Sequence, residues 1–257
     1  MKVESFHPSA ALLPFVREFL IIESDLDACS KTIPDTSMTM AFRYTGRVVR
    51  MDGEEILTLP SIAVAGLRRS VRQFAYAGHT ANLLVIFTPG GINAFSRIPA
   101  HELFEQHISA ENLFHVTDLD EILERLAEAP DNKRRIDIIQ SFLQGHLTNK
   151  KPDALINNAL QLIRQHSGII KIKDLTTSLY ISQDAFEKRF RTMVGSTPKQ
   201  YASIVRLRHL IKAYPSYSSL TDASYEAGYF DQSHFIKDFR LFTGQTPRDF
   251  FTSGEFW

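Results

Sequence analysis

The sequence predicts an α+β protein of two domains: an N-terminal antiparallel β-barrel or sandwich with a helical pair over residues 1–150, and a C-terminal all-α domain of two similar helix pairs over residues 151–257. Three observations carry this. Short alternating or continuous apolar segments crowd positions 38–87, and the apolar period lengthens to that of a helix from about Asn112. Polar "TNKKPD", Thr148–Asp153, contains a proline and separates the two regions. Finally, "GSTPKQY" at Gly195–Tyr201 returns 49 residues later as "GQTPRDF" at Gly244–Phe250.

The chain opens with "PSAALLPFVREF", in which Leu12, Leu13, Phe15, Val16 and Phe19 have the spacing of one helical face, so a helix is expected there. Strand patterns follow. In "SMTMAFRY" Met38, Met40, Phe42 and Tyr44 alternate with Thr39, Ala41 and Arg43, the period of a half-buried strand. "GRVVR", "EILTL", "SIAVAG", "VRQFAYAG" and "NLLVIF" come next, parted by Gly, Pro, Asp and Asn turns. Leu119, Ile122, Leu123 and Leu126 then predict a helix that stops before Pro130, and Ile136, Ile139, Phe142 and Leu143 predict its partner. No strand is expected beyond Asp153.

The repeated letters have a physical meaning. Glycine suits the left-handed position just past a helix end, threonine can cap the next helix, and proline fits its first turn, where an N–H would be unpaired anyway. Gly195, Thr197 and Pro198 compose one such junction, and Gly244, Thr246 and Pro247 the other. Similarity continues upstream: "SQDAFEKRFRTMVGSTPKQY" from Ser182 and "DQSHFIKDFRLFTGQTPRDF" from Asp231 share eight of 20 positions. Phe186 with Phe190, and Phe235 with Phe239, form buried stripes four residues apart, which turns the intervening polar residues outward. A shorter helix precedes each: Ile172, Leu175 and Leu179 line the first, and Leu220, Ala223 and Ala227 the second, with Gly228 at its turn. Short helix, tight turn and a second helix with one packed and one polar face make a helix-turn-helix, whose second helix can enter the DNA major groove. Between the two units "PKQYASIVRLRHLIKAY" predicts a continuous helix of roughly 25 Å, with Tyr201, Ile204, Val205, Leu207 and Ile211 able to touch both.

Composition narrows the function classes. The formal charge is zero, yet residues 1–150 carry 15 basic and 19 acidic side chains, or −4, while residues 151–257 carry 14 and 10, or +4. Such a split is compatible with a nucleic-acid-binding part joined to something else. No apolar run reaches the ~20 residues of a membrane helix and no signal-peptide pattern opens the chain, so a cytoplasmic protein without membrane contact is expected. Cys29 is the only cysteine, which rules out an internal disulfide and a multi-thiolate zinc site. His79, His101, His107 and His115 lack the clustered spacing of a metal site, so no metal and no cofactor are expected. Nothing resembles a Ser/His/Asp or Cys/His nucleophile, so the protein is expected not to be an enzyme. "TPGG" at Thr88–Gly91 reads as a strand-to-helix turn, with an anion cradle the weaker alternative. Met38 and Met40 read as core filling.

From Asp153 onward the residues resemble the AraC/XylS class of bacterial transcription regulators, most closely in "YEAGYFDQSHFIKDFRLFTGQTPRDF". The resemblance implies seven helices, with those near 183–193 and 232–242 reading successive major-groove segments about one turn, ~34 Å, apart. "PDTSMTMAF" and "FTPGGINAF" are similar to the cupin-like sensor domains joined to some of these regulators. Departures from the family pattern are Thr36 and Tyr180 where glycine is usual, Ala223 and Ser224 for a larger aliphatic and an alanine, and Leu210 for an alanine.

The implied activity is sequence-specific binding of double-stranded DNA, modulated through an N-terminal domain that senses a small-molecule effector, forms a homodimer, or both. RNA polymerase is a further partner implied by the family alone. The DNA-contacting candidates are Gln183, Lys188 and Arg191 on the first outward face and Gln232, Ser233, His234, Lys237 and Arg240 on the second. Lys and Arg can donate to phosphates or guanine edges, and Gln to adenine or the backbone. Asp184 and Glu187 fit only beside cytosine donors. His234 also suits capping or packing, and Arg206 and Arg208 are expected to serve packing. Two rival readings are a degenerate regulator acting only through protein contacts and a DNA-repair alkyl-transfer enzyme, which would need a reactive thiol at Cys29.

Overall fold

The computed structural model describes residues 1–148, 151–214 and 219–253. Asn149 and Lys150, inside the stretch expected to part the domains, lie outside the described residues, as do 215–218 and 254–257.

Ten strands precede the first α-helix: β1 Lys2–Phe6, β2 Val16–Ser24, β3 Ala28–Thr32, β4 Thr39–Thr45, β5 Val48–Asp52, β6 Glu55–Thr58, β7 Ile62–Ala65, β8 Arg72–Tyr76, β9 Thr80–Phe87 and β10 His107–Ser109. They pair antiparallel into a six-stranded sheet of order β1-β2-β9-β4-β7-β10 and a four-stranded sheet of order β3-β8-β5-β6. The register puts Phe42 opposite Leu83 and Met40 opposite Val85, so these side chains share one face of the larger sheet. Helices α1 Val116–Glu128 and α2 Asn132–Gly145 cover that face, with Phe142 edge-on to Phe42 at 6.1 Å and Leu119, Ile122, Leu126, Ile136, Ile139 and Leu143 buried. The opposite face looks toward the four-stranded sheet, and His107 of β10 crosses the gap to Arg50, Arg72 and Phe74.

One sequence expectation fails. Leu12 to Phe19 is not a helix: a turn over Ser9–Phe15, closed by Leu12 N–H to Ser9 C=O at 2.9 Å, leads into β2. The helical spacing arose from a bulge between Val16 and Glu18, which brings Val16 and Phe19, three apart, to the same buried side. β1, β3 and β10 were not expected either.

The remainder is helical: α3 Ala154–Gln165, α4 Ile172–Ser178, α5 Gln183–Val194, α6 Pro198–Ala213, α7 Leu220–Glu226, α8 Gln232–Thr243 and α9 Pro247–Ser253. Seven helices, and no strand, are present among the described residues beyond Asp153. Both junctions form as the letters require. Gly195 and Gly244 sit at φ 95° and 79°, and each donates its N–H to the arginine carbonyl four residues back. Thr197 makes a capping box with Gln200, and Thr246 accepts from Asp249 N–H at 3.3 Å.

The apolar core is shared in an unexpected way. One buried cluster runs from the sheet and α1–α2 through Ile156, Ile163, Leu175, Phe186, Phe190 and Tyr201 of the first helical unit. A second, smaller cluster holds Ile204, Leu207, Leu210, Phe235, Phe239, Phe242 and Phe250. Helix α6 therefore belongs to both cores, its N-terminal turns to the first and its C-terminal turns to the second. Tyr201 packs on Phe190 at 5.7 Å as Phe250 packs on Phe239 at 5.4 Å, one repeat later. Leu210, a departure from the family pattern, is fully buried in the second core.

Candidate nucleic-acid interface

The two repeated helices are anchored by their aromatic stripes. Phe186, Phe190, Phe235 and Phe239 are fully buried, and each such side chain contributes about 1.5–3 kcal/mol relative to exposure. A helix pinned on that side has no rotational freedom, so its opposite face is set. On α5 Gln183, Lys188 and Arg191 are exposed, as is Asp184; on α8 Gln232, Ser233, His234, Lys237 and Arg240 are exposed. Both helix starts are capped by the preceding residue, with Ser182 accepting from Ala185 N–H and Asp231 from His234 N–H at 2.7 Å.

The two outward faces differ in detail. On α5 the Gln183 amide donates to Glu187 at 2.9 Å, so Glu187 engages its own helix, while Lys188 and Arg191 have no ion pair among the described residues. Arg189, which the periodicity did not single out, forks onto Asp153, the residue just ahead of α3, at 2.6 and 3.0 Å. That geometry fixes α5 against α3, and Asp153 also caps α3 through Ile156 N–H at 3.1 Å. On α8 His234 turns toward its neighbours, edge-on to Tyr229 at 5.5 Å and 3.7 Å from Asp238. Among the described residues Gln232, Ser233, Lys237 and Arg240 have no such attachments.

Helix α6 is tied in on both sides by arginines. Arg206 lies 4.2 Å over the Tyr229 ring and 3.7 Å from Asp238, and the Tyr229 hydroxyl donates to Asp238 at 3.2 Å. Burial raises the Tyr229 phenol above its usual range, so it remains a donor. Arg208 instead reaches the β-rich region, donating to the Pro34 carbonyl at 3.1 Å and lying 3.8 Å from Asp35. Burial alone would push the Asp35 carboxyl up, but Arg208 and Arg17 outweigh it and hold the group below its ordinary value.

The turn of the first unit is unusual. Tyr180 adopts φ 53° with its side chain 98% exposed, at a left-handed position that favours glycine. Gly228 holds the equivalent turn of the second unit at φ 74°. Phe230, just ahead of α8, is 99% exposed. No periodicity signal marks Tyr180 or Phe230, because both stand in turns, but their place beside the starts of α5 and α8 was readable.

In the β-rich region two amides of the Thr88–Gly91 turn are already taken, Thr88 N–H by Phe15 C=O and Gly91 N–H by Thr88 C=O, which argues against a cradle of free amides there. No cluster of three metal-ligating side chains exists among the described residues. No helix among them is long and apolar enough to cross a membrane.

Comparison with known proteins separates the two halves. Residues 175–253 match the family described as "Helix-turn-helix domain", and residues 4–109 match a domain of unknown function, DUF6597. The HTH-type transcriptional activator RhaS of Citrobacter koseri is 28% identical over 113 residues, 42% of this chain and 39% of that protein. Its Klebsiella pneumoniae counterpart is 30% identical over 114 residues, 43% and 40% of the respective chains. The match thus spans less than half of either relative. The structure of ToxT from Vibrio cholerae covers 98% of both chains at 10% identity with a TM-score of 0.47.

Proposed function

We propose that the helical region of this chain, which matches a helix-turn-helix domain over residues 175–253, is of the AraC type and that the protein is a sequence-specific regulator of transcription that binds double-stranded DNA. The observation that carries this reading is the repetition of an exposed polar face on α5 and α8, each fixed by buried phenylalanines and joined by one helix that enters both cores. Lys188 and Lys237, and Arg191 and Arg240, occupy equivalent positions and supply phosphate contacts, while Gln183, Gln232 and Ser233 face base edges. His234 takes a positioning role beside Tyr229. Phosphate contacts give salt-dependent affinity, and base contacts give sequence preference.

We place the functional division at residues 150/151: residues 1–150 form the sensing or dimerising domain and 151–257 the DNA-binding domain. The matched relatives are described as transcriptional activators, which favours that sense here. In this reading the β-rich domain responds to a small molecule or a second copy and alters how the two helix-turn-helix units meet promoter DNA, with RNA polymerase as downstream partner. No catalytic step is assigned.

The test is selection of bound duplexes from random DNA. Two enriched blocks about 10 base pairs apart support the reading. Enrichment of single strands or RNA, or affinity without sequence preference, refutes it; the last result marks a protein working through protein contacts.

A further inference from the structure

The space between the two sheets is lined differently from the core beneath α1 and α2. On β4 and β7 the side facing the helices carries Met40, Phe42, Ile62 and Val64, whereas the side facing the four-stranded sheet carries Thr39, Ala41, Ala63 and Ala65. Sheets packed face to face normally fill the ~10 Å between them with interdigitating apolar side chains. Here Thr39, Ala41, Ala65, Leu20, Ile22 and Leu84, though on interior strands, stay partly accessible. That face of the larger sheet is only partly covered.

Into this space the four-stranded sheet directs cations. Arg72, 9% exposed, and Arg50, 17% exposed, aim guanidinium nitrogens at the same His107 Nδ1, at 2.9 and 3.2 Å. Two donors on one lone pair leave at least one poorly satisfied. The donor nitrogens lie within about 6 Å of each other, where like charges repel unless compensated. Compensation is partial: Arg72 Nη2 also donates to the Glu105 C=O at 2.6 Å. Asp52, largely exposed, sits 3.2 Å from Arg50, and Glu105 is 3.8 Å from Arg72 while also 3.5 Å from Arg69. Among the described residues Arg68 behind them bonds to carbonyl and hydroxyl oxygens of Thr32, Ile33 and Ser70, and Arg43 to Val48 C=O and Ser61, none of them charged. Burial and the arginines together hold His107 neutral, its pKa pushed down to about 3. Buried charge in excess is costly unless something pairs with it.

We propose that the inter-sheet space binds a small organic anion whose carboxylate or phosphate group is held by Arg50 and Arg72 beside His107. An anion between the two guanidiniums takes the donors that now crowd one imidazole nitrogen, and the small side chains of β4 and β7 leave room for its body. Its role as effector rests on the regulator reading above; the binding itself does not.

The experiment is calorimetric titration of the full chain, without DNA and at constant ionic strength, with succinate, inorganic phosphate and the neutral analogue succinamide. Succinate or phosphate binds and succinamide does not, and the pair of anions separates carboxylate from phosphate preference. Arg50→Gln weakens binding by at least about tenfold, the equivalent of one charge-assisted hydrogen bond, whereas Arg47→Gln on the exposed turn leaves it intact. Arg72→Gln repeats the test from the second arm, with circular dichroism confirming the fold. No heat with either anion, equal response to succinamide, or undiminished binding in Arg50→Gln overturns the proposal. Duplex selection on the anion-free chain is scored separately, so loss of the anion site does not disturb the DNA assignment.

Discussion

Lys188 and Lys237 stand at equivalent positions of α5 and α8, exposed and without an ion pair among the described residues. Alanine at either site therefore removes no ion pair or side-chain hydrogen bond among the described residues, and stability should stay within about 0.5 kcal/mol. If each lysine neutralises one phosphate, each substitution lowers the slope of log K against log salt by about 0.9, and the double variant by about 1.8. Between 50 and 200 mM salt this amounts to about 3.5-fold less loss of affinity for each lysine removed. Arg189 is the internal control: it lies on the same helix one residue beyond Lys188, but its guanidinium is forked onto Asp153. Arg189→Ala should leave the salt slope unchanged and instead cost up to about 1 kcal/mol, since the arginine is half exposed. The assay is fluorescence anisotropy on a selected duplex across a salt series, with urea unfolding in parallel. An unchanged slope for both lysine variants, or an equal change for Arg189→Ala, would show that the outward faces have been misassigned.

Tyr180→Gly should raise the stability of the first helix-turn-helix unit by about 0.5–1 kcal/mol in urea unfolding, because the left-handed backbone costs roughly 1–2 kcal/mol for a residue with a Cβ and glycine returns part of that as unfolded-state entropy. A loss of stability would reveal a contact made by the exposed ring. Gly195→Ala should destabilise more than Gly244→Ala: both are left-handed, but a Cβ at Gly195 would overlap Met38 Cε and crowd the Ala100 carbonyl, while at Gly244 it meets only Val71 at 3.0 Å. Thermal unfolding ranks the pair, and equal losses would contradict the packing of α5 on the β-rich region. His107 has its folded pKa lowered to about 3, so its stabilising contribution is complete above its unfolded value near 6.5 and is lost as pH falls toward 3. Unfolding midpoints of the native chain and His107→Gln should therefore diverge between pH 6.5 and 5, above the range where carboxylates titrate; parallel curves would refute the neutral, arginine-flanked histidine.

Much of this was legible in the letters because it depends on local rules. Gly195, Thr197 and Pro198 specify a helix end and a helix start with no help from the rest of the chain, and their recurrence at Gly244, Thr246 and Pro247 fixed the register of two units. The strand from Thr39 to Thr45 was equally plain, since Met40 and Phe42 alternate with smaller residues. What escaped depends on partners distant in sequence. β10 is three residues whose strand identity comes only from pairing with β7, and β1 is an edge strand with a weak alternation. Leu12 to Phe19 imitated a helix because one bulge altered the spacing of inward residues. Arg189 looked like any other charge on a helix until Asp153, 36 positions away, was brought against it. The arginines around His107 follow strand alternation, but nothing in the letters says that three strands direct them to one place.

The short connection from Ile33 to Met38 has an outsized reach. Ile33 packs on the core of the second unit, Pro34 and Asp35 hold Arg208 midway along α6, and Met38 lies against Gly195 at the end of α5. Six consecutive residues thus serve as a common footing for both reading heads and the strut between them. Because β3 and β4 on either side of that footing belong to different sheets, the same six residues are tied to both layers of the β-rich region.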